Sequence, residues 1–242
     1  MKDFLINCDM GEWDAPHLEQ VDDAIMPLVD MCNIACGGHA GNSEILAYTL
    51  NLAKKYGVNV GAHPGYEDRE GFGRTYQTLT FEALRASISK QLNLFLECCE
   101  ELNVIPFHVK AHGALYHACN QKEMESQVLI EIMLESCPDL FLLVAPESLL
   151  EKKAKESGIK TLSESFIDRR YNDDLSLVSR QREDAVIIDE NVAQFQYEDL
   201  KKGEITTLSG MKAKLFTDTA CIHGDNPNCV SILKSIRAGE KV

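Results

Sequence analysis

The chain lacks any apolar run long enough to cross a bilayer. Its longest apolar stretches, such as FLLVA at 141–145, are far shorter than the roughly 20 residues that a membrane-spanning helix needs. The first residues, MKDFLINCDMGEW, also lack the charged leader, apolar core and cleavage site of a secretory signal. We therefore expect a soluble protein that stays in the cytoplasm.

The chain has fewer basic than acidic residues. The 24 lysines and arginines stand against 38 aspartates and glutamates, which gives a formal net charge of −14. Nucleic acids and anionic membranes bind basic surfaces that displace their counterions, so neither is expected as a partner. A small anionic substrate remains open, because it needs only local positive charge.

The nine cysteines include no CxxC pair and no zinc-ribbon spacing. They are odd in number and scattered, and most lie in apolar strand-like or helix-like stretches. Cys98 and Cys99 are adjacent and cannot easily bridge each other. We expect all nine to be free thiols that pack as small hydrophobic side chains.

No GxGxxG or GxxxxGK[ST] motif follows the first predicted strand, which disfavours an open nucleotide-binding sheet. Short apolar β-like runs instead alternate with amphipathic helical stretches, which is typical of βαβ units and a mainly parallel sheet. The predicted strands are Phe4–Cys8, Cys32–Cys36, Val58–Ala62, Pro106–Val109, Phe141–Ala145, Thr161–Phe166, Ala185–Ile188 and a segment ending at Ala220–Ile222. Without a Gly/Ser-rich linker, we expect one domain over residues 1–242. The pattern alone leaves a closed barrel and an open sheet as alternatives.

Apolar spacings of three and four predict the intervening helices. Asn42 or Ser43 caps a helix that ends at Gly57, and Thr80 begins a longer one. Further helices are predicted over 120–137, 147–158 and 226–238. Between strand and helix, HPGYEDREGFGRTYQ at 63–77 is rich in glycine and aromatic residues, and a loop of this length is usually functional or mobile.

Nearly every predicted strand ends in side chains that can take part in chemistry. In β/α barrels the loops at the C-terminal ends of the strands converge on one mouth, so these residues are candidates for one site. They are Asn7, Asp9, Glu12, Asn33, His39, His63, His108, Lys110, His112, Glu164, Asp168, Arg169, His223 and Asp225. Five of the seven histidines fall at such ends, and this shared position indicates function more strongly than any one residue does.

Each residue also has a structural interpretation. His17 and His117 lie in helical or loop contexts, where a hydrogen-bonded structural histidine is the better interpretation. Asp9 and Glu12 are equally compatible with carboxylates at a helix N-terminus. Lys110 alternates with histidines in FHVKAHG, which puts these side chains on one strand face, and a lysine buried there needs an acid or anion beside it.

Two chemistries fit this set of residues. Histidine and aspartate ligands could hold a divalent metal that activates water. Alternatively, carboxylates and histidines act as general acid and base, while Lys110 and Arg169 bind an anionic group or stabilise developing negative charge. Neither HExxH nor a comparable compact metal motif is present, so the sequence leaves a bound metal undecided.

The motifs NCDMGE, NIACGGHAG, GAHPGYEDREGFGR, HVKAHGALYH, ESFIDRRY and CIHGD closely resemble the LamB/YcsF family, from near residue 4 to near residue 238. The resemblance implies a distorted seven-stranded β/α (TIM-like) barrel, similar to glycoside hydrolases and polysaccharide deacetylases. It also implies the activity of the A subunit of 5-oxoprolinase. That enzyme opens the lactam of 5-oxoproline (pyroglutamate) to L-glutamate, with ATP as co-substrate and with subunits B and C as partners. A divalent metal, either magnesium with ATP or a metal in the site, is compatible with this activity.

Carried onto this chain, the family motifs divide the candidate residues into two groups. The expected catalytic residues are Asp9, Glu12, His63, Lys110, His112 and Glu164. The expected substrate-binding residues are Asn7, Asn33, His39, His108, Asp168, Arg169, His223 and Asp225. The family commonly has CGFHAG where this chain has Gly38, and HVKPHG where it has Ala111, so the shape of the pocket is expected to differ.

Two further hypotheses stay beside the oxoprolinase one. A stand-alone metal-dependent deacetylase or amidohydrolase, acting on sugars or small amides, would contain a stoichiometric metal and work without partners. A non-catalytic scaffold is disfavoured, because a scaffold gains nothing from a cleft of ionisable groups.

Overall fold

Seven parallel strands close into a barrel in a computed structural model that describes residues 4–13 and 19–240. His17 lies outside the described residues. The barrel strands, in spatial order, are β1 (Leu5–Met10), β2 (Met31–Ala35), β3 (Asn59–His63), β4 (Pro106–Val109), β5 (Phe141–Val144), β6 (Thr161–Phe166) and β9 (Thr219–Ile222). This arrangement confirms the seven-stranded β/α barrel.

Helices connect the strands around the outside of the barrel. Their bounds are α1 (Glu19–Ile25), α2 (Ser43–Tyr56), α3 (Phe81–Glu101), α4 (Gly113–Gln121), α5 (Glu123–Ser136), α6 (Leu149–Glu156), α7 (Glu190–Lys201) and α8 (Cys229–Gly239). Between α7 and β9, the strands β7 (Glu204–Thr206) and β8 (Lys212–Lys214) form an antiparallel hairpin outside the barrel.

The register of the strands brings the polar residues to one end. Asp9 of β1 lies opposite Asn33 of β2, and β9 closes the barrel by pairing with both β1 and β6. At the opposite end the interior is apolar, since Met31 and Leu162, near the beginnings of β2 and β6, pack with Leu143 of β5. The barrel therefore has an apolar floor and a polar mouth.

The helix caps follow the sequence. The Asn42 side chain accepts hydrogen bonds from the backbone N–H groups of the first turn of α2, and Thr80 caps α3 in the same way. Gly57 ends α2 with a φ of 70°, a left-handed conformation that glycine adopts without strain. The helix predicted over 120–137 is α5, which begins three residues later at Glu123, because residues 120 and 121 end the preceding helix α4 and the chain turns at Lys122.

One predicted strand is wrong. Ala185–Ile188 is not a barrel strand, and of this segment only Val186 forms an isolated bridge, to Arg169 just beyond β6. The apolar run has a different explanation, because Ala185 and Ile187 are buried within the loop that joins β6 to α7. Burial of a loop produces the same apolar signature as a short strand.

All nine cysteines are free and buried, as their apolar contexts predict. In the described parts of the chain, no helix has the length and apolar character to span a bilayer.

The glycine-rich loop between β3 and α3 folds over the barrel mouth. Its Gly73 carbonyl accepts a hydrogen bond from Ala114 N at the start of α4, and the Phe72 carbonyl lies 2.9 Å from Nε2 of His112. Gly73 has a φ of 62°, and a Cβ there would lie 2.8 Å from Cβ of His39. A glycine is therefore required where this loop covers the polar end of the barrel.

Candidate active site

A chain of buried amides lies lowest in the polar half of the barrel. The Nδ2 group of Asn7 donates to Thr219 Oγ1, and Asn33 Nδ2 donates to Asn7 Oδ1 at 2.8 Å and to Asp9 Oδ1 at 2.7 Å. Nε2 of His108 lies 2.6 Å from Asn33 Oδ1. Burial, reinforced by a nearby lysine, lowers the pKa of His108 to about 3, so this imidazole is neutral and donates to the amide.

Lys110 lies directly above these amides, between two carboxylates. Its Nζ is 2.7 Å from Glu164 Oε2 and 3.2 Å from Asp9 Oδ1, and only 3% of the side chain is exposed. Sγ of Cys221 lies 3.1 Å from the same nitrogen. The ammonium is thus already neutralised by acidic partners, which favours a role in holding the carboxylates over the expected role in binding an anionic ligand.

The charged forms of Asp9 and Lys110 support each other. Burial alone would raise the pKa of Asp9, but the adjacent His63 and Lys110 hold it well below its usual range. Burial likewise opposes the charge on Lys110, and the carboxylates, with Asp9 foremost, raise its pKa well above the usual value. Asp9 is therefore an ionised carboxylate at neutral pH, better suited to orienting water than to accepting a proton.

Three histidines converge on Glu12 beside this lysine. Oε1 of Glu12 lies 2.9 Å from Nε2 of His39, 3.1 Å from Nδ1 of His112 and 3.8 Å from Nε2 of His63. The rings of His39 and His112 stack with centroids 3.6 Å apart. Burial lowers the pKa of His39 to about 4 in spite of its bond to Glu12, so that ring is neutral at physiological pH.

Asp168 and His223 form a third group, across the mouth. Oδ1 of Asp168 lies 2.9 Å from Nδ1 of His223, and Oδ2 accepts from the backbone N–H of His223 and from Asn226 Nδ2. Burial opposes ionisation of Asp168, but these contacts, led by the His223 charge, lower its pKa. The imidazole stacks on Phe166 and is thereby fixed at the wall of the cavity.

A cavity of about 400 Å³ opens above these groups, a volume in the range of small-molecule sites. Asp9, His63, Lys110, His112 and His223 line it. Its walls are also cationic, because they include Arg74, Arg169 and Arg180.

The arginines of the cavity differ in how their charge is balanced. Asp225 pairs with both Arg74 and Arg180, and so joins the loop after β3 to the loop after β6. Arg169 is 5% exposed, and its Nη2 donates to the Val178 carbonyl. Its Nε is buried without a hydrogen-bond partner among the described residues. Burial lowers the pKa of Arg169 only to about 10, so it stays a cation facing the cavity.

The structure brings the expected site residues together at one end of the barrel, but at different depths. Asp9, His63, Lys110, His112, Arg169 and His223 line the cavity. Glu12, His39, Glu164 and Asp168 contact those residues. Asp225 contacts Arg74 and Arg180, which also line the cavity. Three of the expected substrate-binding residues, namely Asn7, Asn33 and His108, are fully buried below the cavity and are not among its lining residues.

Sequence reasoning missed several residues of the site. Arg74 belongs to the glycine-rich loop already marked as functional, so its position could have been found there. Cys221 was interpreted as a small hydrophobic residue, because nothing in the sequence places its sulfur beside a lysine. Arg180 and Asn226 lie in irregular segments without a recognisable pattern. His117, interpreted as structural, is an exposed residue at the cavity wall.

At Gly38, where the family motif has a phenylalanine, the side chain of Gln91 fills the space. A Cβ at Gly38 would lie 2.3 Å from Oε1 of Gln91, so the glutamine of α3 occupies the space of a side chain at this position. Its amide bonds to both the N–H and the carbonyl of Gly65, in the loop that covers the mouth. Ala111 is buried and forms part of the cavity wall.

Two groups of side chains have the donor atoms for a metal ion. The first comprises Glu12, His39, His63 and His112, and the second comprises Asp9, Cys221 and His223. Within each group the donor atoms lie within 4.8 Å of one another. Lys110 lies 3.1 Å from the sulfur of the second group, and its positive charge opposes a cation there.

Comparisons with known proteins find relatives that match nearly the whole chain. Among curated relatives, the A subunit of 5-oxoprolinase from Pyrococcus horikoshii is 40% identical over 233 residues, covering 96% of this chain and 91% of the relative. The same protein of Natranaerobius thermophilus is 36% identical over 238 residues, covering 98% and 93%. The crystal structure of the lactam utilization protein from Thermus thermophilus matches with a TM-score of 0.90 at 30% identity, covering 99% of this chain and 96% of that one.

The family match extends over nearly the whole chain. The sequence model of the LamB/YcsF family matches residues 4–241, which include every strand of the barrel and every residue of the site. The chain belongs to the LamB/YcsF family.

Proposed function

We propose that this chain is the A subunit of a cytoplasmic, ATP-dependent 5-oxoprolinase, which hydrolyses the lactam of 5-oxoproline to L-glutamate together with subunits B and C. Relatives that carry this name match almost the full length of the chain. A related structure bears the name of a lactam utilization protein. The proposal treats residues 1–242 as one catalytic domain.

The observation that carries the proposal is the charge arrangement of the cavity. The buried guanidinium of Arg169 faces a cavity that also contains the Lys110 ion pairs. No carboxylate among the described residues lies within ion-pair distance of this buried guanidinium, although Asp168 attracts it, and an anionic ligand reduces the cost of its burial. The substrate carboxylate is such a ligand, and we assign it to Arg169 because guanidinium and carboxylate match in shape and hydrogen bonding.

The reaction needs an activated lactam, because a five-membered amide is stable. Transfer of the γ-phosphoryl group of ATP to the lactam oxygen makes the ring carbon electrophilic. A first water adds to that carbon, the ring C–N bond breaks, and the nitrogen takes up a proton to become the amine of glutamate. A second water then releases phosphate from the acyl phosphate that remains. The balance is one ATP and two waters for one glutamate, one ADP and one phosphate.

Ionised Asp9 is suited to orienting the attacking water at the cavity floor, with Lys110 and Glu164 holding it in position. His223, fixed by Asp168, is suited to proton transfer at the ring nitrogen, because its imidazole lines the cavity. The other expected residues enter the proposal as supporting groups. Asn7, Asn33 and His108 position Asp9 from below, Glu12, His39, His63 and His112 form the adjacent wall, and Asp225 joins the covering loops.

Reconstitution tests the assignment of the reaction. ATP hydrolysis and glutamate release are measured for this chain alone and with subunits B and C. We expect 5-oxoproline-dependent formation of ADP, phosphate and glutamate in equal amounts, and only when all three subunits are present. An intact complex that releases no glutamate from 5-oxoproline and ATP would contradict the proposal.

A substitution tests the assignment of the site. In the active complex, Arg169→Met should raise the KM for 5-oxoproline about 10- to 100-fold, since a charge-assisted hydrogen bond contributes about 1.5–3 kcal/mol. The KM for ATP should stay unchanged. Arg170→Met is the matched control, because Arg170 is the neighbouring arginine and does not line the cavity. Equal KM values for both variants would remove Arg169 from the substrate site.

One observation supports a second candidate function. The cluster of Glu12 with three histidines has the donors of a metallohydrolase, which fits a stand-alone metal-dependent deacetylase or amidohydrolase. That candidate predicts hydrolysis of an acetylated sugar or small amide by the isolated chain, without ATP. The reconstitution assay distinguishes the two, because the oxoprolinase needs both ATP and its partners.

A further inference from the structure

Four donor side chains come from four successive strand ends. Glu12 follows β1, His39 follows β2, His63 ends β3 and His112 follows β4. None of the four is exposed, and the histidines are between 1% and 4% accessible. Their donor atoms point at one another, so the cluster forms one compact, buried group.

Two of the imidazoles have their tautomers fixed by backbone carbonyls. Nδ1 of His63 lies 2.7 Å from the Lys110 carbonyl, and Nε2 of His112 lies 2.9 Å from the Phe72 carbonyl. A carbonyl only accepts hydrogen bonds, so each of these nitrogens carries the hydrogen. In the neutral rings, the lone pairs are then on Nε2 of His63 and Nδ1 of His112.

These two lone pairs face each other. Nε2 of His63 and Nδ1 of His112 are 3.0 Å apart, and the carboxylate of Glu12 lies 3.1 Å from the second. Three acceptor atoms at such distances repel unless a positive charge lies between them. The fixed tautomers are those of metal-ligating histidines, which commonly donate their other ring N–H to a carbonyl or carboxylate.

The distances fit a tetrahedral metal. Zinc at roughly 2.0–2.1 Å from each ligand separates neighbouring ligand atoms by about 3.4 Å. Four of the six separations between donor atoms in the cluster run from 2.9 to 3.8 Å, and all six are within 4.8 Å. His39 presents Nε2 at the short end of this range, where it donates to Glu12. Its Nδ1 has no hydrogen-bond partner among the described residues, so the ring hydrogen can move to Nδ1 when a metal takes its place on Nε2.

We propose that Glu12, His39, His63 and His112 bind a divalent transition metal. Zinc is the metal that fits this set of ligands best. Three imidazoles and one carboxylate suit zinc, cobalt or iron, whereas magnesium and calcium prefer all-oxygen sites. The metal joins the ends of four neighbouring strands and, through the carbonyl of Phe72, the loop over the mouth. Because His63 and His112 also line the cavity, the metal adjoins the space assigned to the substrate. Binding of the metal does not depend on the proposed reaction.

Calorimetry on chelator-treated protein at neutral pH tests the site. Zinc and cobalt should each bind with one ion per chain. About one proton should be released, because the metal ion takes the place of the positive charge between the imidazoles of His63 and His112. Magnesium at the same concentration should not bind. Two results would overturn the proposal: no stoichiometric binding of zinc or cobalt, and binding of magnesium in preference to zinc.

Variants locate the metal. His39→Gln and His112→Gln should each lower zinc affinity by more than about 100-fold, since loss of an outer-shell partner alone costs about 10- to 100-fold. His117→Gln is the matched control, because it is an exposed histidine on the same helix that follows His112. Equal zinc affinity in all three variants would place the ion outside this cluster and contradict the proposal.

X-ray absorption at the zinc edge tests the site without any substitution, so a variant that fails to fold does not decide the outcome. We expect about four N or O neighbours at roughly 2.0–2.1 Å with imidazole scattering, and no sulfur neighbour. A sulfur neighbour would indicate one of the buried cysteines, such as Cys221, and would contradict the assignment.

Discussion

Replacing Lys110 by methionine should strongly destabilise the folded chain. Methionine preserves much of the side-chain length and removes the ammonium, which lies 2.7 Å from Glu164 and 3.2 Å from Asp9. Both carboxylates are nearly inaccessible, at 1% and 6% exposure, so water does not replace the lost partner. The sequence alone predicts a lysine that binds an anionic group.

The magnitude follows from the burial of the ion pairs. Removing one partner of a buried pair costs about 3–5 kcal/mol, because it leaves an uncompensated charge in the interior. For a chain of this size, 1 kcal/mol changes the melting temperature by about 2–4 °C, so Lys110→Met should melt about 6–20 °C below wild type. Removing one of the two carboxylates as well should recover part of this loss, which makes the double variant Lys110→Met/Glu164→Gln more stable than Lys110→Met alone.

Calorimetric melting at neutral pH measures these differences. Lys152→Met on α6 is the control, because Lys152 is exposed, and its stability should stay within about 0.5 kcal/mol of wild type. A Lys110→Met variant that melts with the control would show that the ammonium does not compensate Asp9 and Glu164.

Three further predictions concern single positions. Asn42→Ala should lower the free energy of unfolding by about 1 kcal/mol in urea titrations, because α2 loses its cap. Gly73→Ala should lower the thermal stability and the turnover of the reconstituted complex, since its Cβ would press on His39 and His112 at a φ of 62°. Burial raises the pKa of Asp22 to about 6, above the unfolded value of about 4, so its stabilising contribution is complete below the unfolded pKa and is lost as pH rises through about 6. Urea titrations across this range should therefore find Asp22→Asn gaining stability relative to wild type as pH rises.

Much of the fold could be predicted because local signals agreed with it. Pro106–Val109 and Thr161–Phe166 are strands at the predicted bounds, and each follows a turn that ends the preceding helix. Asn42 and Gly57 marked the ends of α2 through capping chemistry that depends only on neighbouring residues. The apolar run at Ala185–Ile188 was wrongly predicted as a strand, because its burial comes from tertiary packing of a loop.

The gathering of the candidate residues at one end of the barrel could also be predicted, but their arrangement there could not. Position after a strand predicts which end of the barrel a residue occupies, which was enough to bring Asp9 and His223 to one cavity. How deep a side chain lies in the barrel depends on its direction and on neighbours from distant strands. The sequence therefore could not show that His108 lies below the cavity while Lys110 lines it. The charge state of Lys110 likewise follows from Glu164, a residue more than fifty positions away along the chain.

The proposed function depends above all on the cavity around Asp9 being the place where the lactam opens. Single-turnover glutamate formation from 5-oxoproline and ATP, in the complex with subunits B and C, measures this step. With Asp9→Asn the rate should fall by about two to four orders of magnitude, the range for removal of one acid–base or electrostatic group. Asp139→Asn, an exposed aspartate before β5 at the opposite end of the barrel, should retain the wild-type rate. Wild-type turnover by a folded Asp9→Asn complex would contradict the assignment of this cavity.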